Sequence, residues 1–396
     1  MSRQFWPPRG RRHCRTAPMW NWNARFRPAS RSSGRRDGKE PTEGVRNGTA
    51  RSTMNSRERV VAALRRQTPD RVPILEWFVH PRVYQAILPG STWPDFVEAI
   101  GLDAMVAHFM FEGSIREERI DDRTVVNEWG VTLGITAEHE APIEGPIKSL
   151  ADLSRYTPPD PEAPHRLGRL LDYVQRFKGR KAIVWCQRAE FMWAAELCRL
   201  DDFLIFMIEQ PRLVHEVLDM VNEFAIALAR RAIRAGADVI MLGDDIAYRT
   251  APMVSPPMYD EFIRPRLARI VQVIHDEGAF AVKHSDGNLW PILDMMISTG
   301  IDAINPIEPV AGMDIGAVKR KYGDRVCLIG NIDCGDLLSH GTPAEVRRVV
   351  RETIRTAGVG GGYIVSSSNT IHSAVNPDNY RAMIEETHRA GIYPLQ

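Results

Sequence analysis

The sequence predicts an α/β protein built as a single (β/α)8 TIM-type barrel, and three observations predict it. Eight short segments rich in Val and Ile lack polar alternation, which is how parallel strands buried on both faces read. Helical patterns separate most of them, giving the strand–helix alternation of a closed parallel barrel. No Gly-x-Gly-x-x-Gly follows the first segment, as a dinucleotide-binding doubly wound sheet would require.

The order along the chain supports each element. Ser56-Arg57-Glu58-Arg59 opens a helix, with Ser56 as the expected N-cap and Val60, Val61 and Leu64 at helical spacing. The eight expected strands are Val72–Val79, Ala104–Phe109, Ala182–Cys186, Val239–Leu242, Phe280–Val282, Asp302–Asn305, Val326–Ile329 and Tyr363–Ser366. Helices are expected over Pro211–Ala235, Ser255–Gly278 and Thr342–Ala357, with Gly236 and Gly278 placed where a left-handed residue ends a helix. Residues 121–135, alternating around Trp129, read as an inserted β-hairpin, and residues 157–165 as a Pro-rich connector. The run Gly358-Val359-Gly360-Gly361-Gly362 precedes a strand. It is therefore a helix-to-strand turn and not a phosphate loop, which would have to follow a strand and open a helix.

Charge divides the chain in two. Residues 1–52 carry 12 Arg and one Lys against three acids, whereas the rest is acidic, although the net charge is only +1. A basic, low-complexity leader over 1–53 reads as a disordered extension, with Met54 as the expected natural start and the barrel spanning 54–396. A targeting peptide or nucleic-acid arm has the same composition. The acidic body argues against nucleic acid as a partner of the folded part. No stretch has the roughly 18–20 apolar residues of a membrane span, so no membrane is expected. Five scattered cysteines without a C-x-x-C pair suit a reducing compartment, hence a cytoplasmic enzyme.

Catalytic groups of parallel barrels lie at the carboxyl ends of the strands. Reading outward from the eight ends gives His80; His108 and Glu112; Gln187 and Glu190; Asp244 and Asp245; His284 and Asp286; Asn305 and Glu308; Asn331, Asp333 and Cys334; then Asn369 and His372. Such a concentration of ionisable groups at one mouth points to a site for a small-molecule substrate. His80, Gln187, Asn305, Asn331, Asp333 and Asn369 are the expected substrate contacts.

The sharpest signal is His284-Ser285-Asp286. In extended backbone, residues i and i+2 point the same way, so His284 and Asp286 could share a divalent metal, zinc or a harder ion. A hydrogen-bonded loop gives the same spacing. The third ligand is sought among Asp244, Asp245, Asp333, Cys334 and His372. Asp244 and Asp245 read as paired acids for proton transfer or as a helix cap; with Glu190 they form the expected catalytic set. Trp185, Phe191, Met192 and Trp193 fit either a pocket for a planar substrate or plain core.

Several motifs, in order, resemble those of the uroporphyrinogen decarboxylase superfamily. They are Asn55–Val60 with Asp70-Arg71-Val72-Pro73, Gly243-Asp244-Asp245, Met253–Pro256 with Phe262 and Pro265, Lys283–Asn288, Gly300–Pro306, Gly330–Asp333, Gly361–Ile364 and Pro377–Tyr380. The similarity covers about residues 54–394 and implies the barrel fold. One branch decarboxylates a tetrapyrrole with eight carboxylates, using Arg residues near the N-terminus in an Arg-Gln-Ala-Gly-Arg-like stretch. Leu75–His80, the matching region, lacks that stretch, and only Arg71 and Arg82 lie nearby. The other branch resembles zinc-dependent methyltransferases that move a methyl group from a corrinoid protein to a thiol, with a His-x-Cys pair and a later Cys as ligands. Here Asp286 stands at the first Cys, and the later one falls within Ser368–His372.

The resemblance therefore implies a metal-dependent methyltransferase-like enzyme with His284 and Asp286 as ligands and His372 as the third, Asp244 being the alternative. No Asp-x-His-x-x-Gly pattern occurs, so a corrinoid would arrive on a separate protein. Decarboxylation of a tetrapyrrole or smaller acid is the alternative, and a non-catalytic binding barrel a third.

Overall fold

A computed structural model describes residues 53–109, 113–135 and 140–395. The leader and Glu112 lie outside the described residues. The strands, in chain order, are β1 (Ala104–His108), β2 (Glu117–Arg119), β3 (Thr124–Asn127), β4 (Thr132–Ile135), β5 (Glu140–Glu144), β6 (Ala182–Gln187), β7 (Val239–Gly243), β8 (Phe280–His284), β9 (Ala303–Asn305), β10 (Cys327–Ile332) and β11 (Tyr363–Ser367). Seven of them form one curled, all-parallel sheet in the order β1-β6-β7-β8-β9-β10-β11. Helices alternate with these strands, as parallel crossovers require.

The first expected strand, Val72–Val79, does not form a continuous strand. It makes isolated parallel bridges, Ile74 to Val365 and Val79 to Ile371. Pro73 lacks the N–H a ladder needs, although its carbonyl still accepts from Val365 N at 2.9 Å. On its other side Asp103 N donates to Ile74 O at 2.8 Å. Asp103 takes over part of the missing ladder. Its buried carboxylate accepts from Ile74 N (3.0 Å), Arg71 (2.9 Å) and Arg59 (3.3 Å).

Two further differences have local causes. Asn55, and not Ser56, caps the first helix, Ser56–Leu64, in a capping box with Glu58. The insertion is larger than a hairpin: β2 to β5 make a four-stranded antiparallel sheet. Trp129 seats it, stacking on Trp193 at 5.1 Å and meeting Phe224 edge-on at 4.6 Å. Trp185, Phe191 and Trp193 are thus core residues. The expected helix over 255–278 is split: a π turn at Tyr259–Ile263 precedes the regular helix Arg264–Asp276. Gly236 and Gly278 both have positive φ where their helices end, as expected.

Alternation along the strands sorts the core into two sets. Leu75, Val106, Val184, Cys186, Met241, Val282, Ile329 and Ile364 pack together on the inner side, joined by Val60, Ala63 and Leu64 of the first helix. Their neighbours Ile183, Ile240, Leu242 and Ala281 face the helices on the outer side. The register then brings three strand ends level: Gly243 pairs with His284, and His284 with Asn305.

Because Asp103 holds the 71–74 segment against β1, Asp103→Ala is expected to leave Arg71 without its main partner. The stability lost should be about 3 kcal/mol, measured by urea denaturation. A loss below about 1 kcal/mol would show that this carboxylate does not secure the segment.

Candidate metal centre

The inner side of the β7 and β8 ends gathers three ionisable side chains, Asp245, His284 and Asp286. Val282 faces inward, so period-two alternation sends Lys283 outward and His284 inward, then Ser285 outward and Asp286 inward. After β7 the same alternation separates the two adjacent acids. Asp244 turns outward and Asp245 inward.

One donor atom from each of Asp245, His284 and Asp286 lies within 4.8 Å of the others. His284 Nε2 is 3.7 Å from Asp245 Oδ1 and 3.8 Å from Asp286 Oδ1. These gaps are longer than a hydrogen bond and match donors grouped around a shared centre. On the far side of the ring, Nδ1 is 2.6 Å from Asn305 Oδ1, while the Asn305 amide nitrogen donates to Ile329 O at 3.4 Å. That amide orientation makes Nδ1 the protonated nitrogen and leaves the Nε2 lone pair facing the two carboxylates. The Trp77 ring stacks on His284 at 5.4 Å and 7° and fixes the imidazole plane.

The two oxygens of Asp286 differ in their surroundings. Its Oδ2 accepts from the Asn369 amide, but the buried Oδ1 accepts no hydrogen bond. Burial pushes its carboxyl up to about 7, with Asp245 and Glu308 adding repulsion and His284 and Asn369 opposing. A buried carboxylate oxygen without a donor is costly, and a divalent cation between Asp286, Asp245 and His284 would remove that cost. The residues present therefore fit a divalent metal, with one nitrogen and two oxygen donors. The set suits zinc or a harder ion.

The other expected site residues have different surroundings. His372 lies outside the cluster, and its Nδ1 accepts from Ala374 N within its own turn. Asp245 occupies the third position. Asp244 accepts from Ala189, Phe191 and Met192 amides at 3.3, 2.7 and 3.1 Å, neutralising the N-terminus of the helix Phe191–Cys198. Glu190 begins the same helix, fully buried, with neither carboxylate oxygen hydrogen-bonded; burial first, then Asp244, pushes its pKa up. Gln187 joins Trp185 Nε1 to Ala225 O. Asp333 caps its own turn through Gly335, Asp336 and Leu337 amides. Asn331 donates to Ile307 O, and His80 caps the helix Pro81–Ile87 through Arg82 N. Of the expected substrate contacts, Asn305 bonds to His284 and Asn369 to Asp286. Cys334 touches Ser368 at 3.5 Å, and burial pushes its thiol up to about 11.

Sequence reasoning passed over two buried ionisable groups near these strand ends. Glu76 accepts from the backbone N and the hydroxyl of Ser367, and burial pushes its carboxyl up to about 8. Lys283 donates to Asp244 O at 2.7 Å and His284 O at 2.9 Å. A lone charge inside an apolar strand run was the available signal for both.

The model of the uroporphyrinogen decarboxylase (URO-D) family matches residues 55–390. The chain belongs to this family. Among curated URO-D relatives, uroporphyrinogen decarboxylase of Thioalkalivibrio sulfidiphilus is 26% identical over 294 residues, 69% of this chain and 78% of that protein. The enzyme of Alkalilimnicola ehrlichii is 25% identical over 367 residues, 84% and 93% of the two chains. Among solved structures, a methyltransferase from Methanosarcina mazei superposes with a TM-score of 0.67 at 19% identity, covering 85% of this chain and 99% of that one. That likeness speaks to the fold. Among the described residues of this URO-D family chain, no helix is long and apolar enough to cross a membrane.

The raised Asp286 carboxyl sets a pH dependence. In the metal-free folded chain it holds its proton up to about pH 7, whereas unfolded it ionises near 3.8. Its contribution to stability therefore falls as pH rises from about 4 to 7 and is flat above. Asp286→Asn removes this loss. Relative to wild type it should gain about 1–3 kcal/mol more at pH 8 than at pH 4.5 in urea denaturation with chelator. Equal differences at both pH values would contradict the raised carboxyl.

Proposed function

We propose that this chain is a metal-dependent, methyltransferase-like enzyme that works with a separate corrinoid protein and takes a small-molecule substrate. The metal we assign is zinc, held by Asp245, His284 and Asp286. The observation that carries the reading is the convergence of these three donors, with Asp286 Oδ1 buried and without a hydrogen bond.

Bound there, zinc would supply Lewis acidity, lowering the pKa of an acceptor group or polarising it. The residues of the chain prepare for this in separable ways. Asn305 holds the His284 proton on Nδ1 so that Nε2 is available. Asn369 holds one oxygen of Asp286 and leaves the other facing His284. Trp77 covers one face of the imidazole and keeps water from it. Two carboxylates in place of thiolates make a harder, less electron-rich set, which favours a substrate that presents oxygen or nitrogen over one that presents a thiol. Burial pushes the Cys334 thiol well above its ordinary range, so it is a poor thiolate ligand as it stands.

A second reading, decarboxylation of a tetrapyrrole or other carboxylic acid, draws support from the names of the curated relatives. The electrostatics oppose it. Asp245, Asp286 and Glu308 crowd the inner mouth, and Arg71 is engaged by Asp103.

Purified wild-type protein is expected to bind about one zinc per chain, and His284→Ala to bind it at least tenfold more weakly, as expected for loss of an imidazole ligand. With an oxygen- or nitrogen-presenting methyl acceptor supplied, transfer of the methyl group of methylcobalamin to it, followed by the absorbance of the cob(I)alamin left behind, should stop with chelator and return with zinc. Absence of zinc binding by the wild type, or equal binding by His284→Ala, would overturn the metal reading. Turnover of uroporphyrinogen in the presence of chelator would favour the decarboxylase reading.

A further inference from the structure

We propose that Lys283 is the positioning residue of the metal centre: its ammonium staples the β7 and β8 ends together and so sets the spacing of Asp245, His284 and Asp286. The role rests on the metal reading above, but the staple itself stands on geometry. The β7–β8 ladder ends at the Gly243–His284 pair. The next backbone bond between the two strands is a long one, from Asp244 N to His284 O at 3.3 Å. At that point Lys283 Nζ donates to both strands, to Asp244 O at 2.7 Å and to His284 O at 2.9 Å.

A buried ammonium is expensive in the interior, and a strand gains nothing from it as a packing residue. Lys283 is 1% exposed, faces the outer side of the sheet, and takes no part in the inner mouth. Burial disfavours its charge, and the acids Asp244, Glu190 and Asp245 supply the opposing charge that makes it tolerable there. Both carbonyls it grips belong to the ligand loops: His284 is a ligand itself, and Asp244 immediately precedes the ligand Asp245.

From this anchor the two loops run on together. Ile246 N donates to Ser285 Oγ at 3.1 Å, and Asp286 N to Asp245 Oδ1 at 3.1 Å. Without the ammonium, two strand-end carbonyls would lose their shared donor, and the strand ends would be free to splay. The metal donors sit one residue further out, so a small splay opens the cluster.

The test compares two buried lysines in the full-length protein. Lys181 is also buried and donates to Leu102 O, at the opposite end of the sheet. Cobalt(II) affinity, followed by visible absorption, is expected to fall about 10–100-fold in Lys283→Met, the usual range for loss of a residue that orients ligands. Lys181→Met should bind cobalt as wild type does. In metal-free protein, hydrogen exchange over residues 243–248 and 284–288 should quicken in Lys283→Met and not in Lys181→Met.

Wild-type cobalt affinity in Lys283→Met, or equal exchange of these segments in both variants, would overturn the staple. If wild type itself binds no cobalt, the metal reading fails, and the exchange comparison alone decides the staple. Should Lys283→Met not fold, Lys283→Arg takes its place with the same readouts. It keeps the buried charge but displaces the donors, and wild-type behaviour in both readouts would then overturn the role.

Discussion

Side chains alternate across a parallel strand, and at the ends of β7 and β8 that alternation decides what every ionisable residue can do. Lys283 and Asp244 go to the helix-packed side, where each is consumed by backbone groups: carbonyls for the ammonium, amides for the carboxylate. His284, Asp286 and Asp245 go to the inner side and meet one another. A shift of one residue in β8 would put Lys283 in the mouth and His284 in the core, and one in β7 would exchange Asp245 for Asp244. The register that aligns Gly243, His284 and Asn305 is therefore the constraint on which the site depends.

The same alternation explains how far the site was legible beforehand. His284 and Asp286 share a face because they are two apart, a relation visible in the letters alone. Asp244 and Asp245 are adjacent, and choosing between them requires knowing where β7 ends and which way Gly243 leaves it. Sequence reading placed both in the catalytic set. The structure gives one to a helix N-terminus and the other to the cluster. His372 follows β11 closely in sequence, yet its turn folds its own Nδ1 onto Ala374 N. Chain proximity to a strand end does not fix side-chain direction in a loop. Asn305 and Asn369 were visible as mouth residues, but their bonds to His284 and Asp286 emerge only from who donates to whom.

The fold was legible for a different reason. Buried parallel strands are apolar throughout, so seven of the eight expected segments form strands in the expected order. Val72–Val79 is equally apolar but carries Pro73, and its hydrogen bonds reduce to isolated bridges supplemented by the Asp103 carboxylate. Apolar composition reports burial, whereas a ladder also requires N–H groups at the right positions. The insertion was underestimated because β2 is fully exposed and polar, without the alternation that marked β3 and β4.

Membership of the URO-D family and the donor set of this chain bear on different questions. The family match accounts for the architecture over residues 55–390. The inner mouth, where a nitrogen and two carboxylate oxygens stand together, is what the proposed metal chemistry rests on. X-ray absorption at the zinc edge of the loaded protein tests this most directly. The account predicts a first shell of nitrogen and oxygen only, including one imidazole, and no sulfur. A sulfur shell near about 2.3 Å, or a spectrum unchanged in His284→Ala, would contradict it.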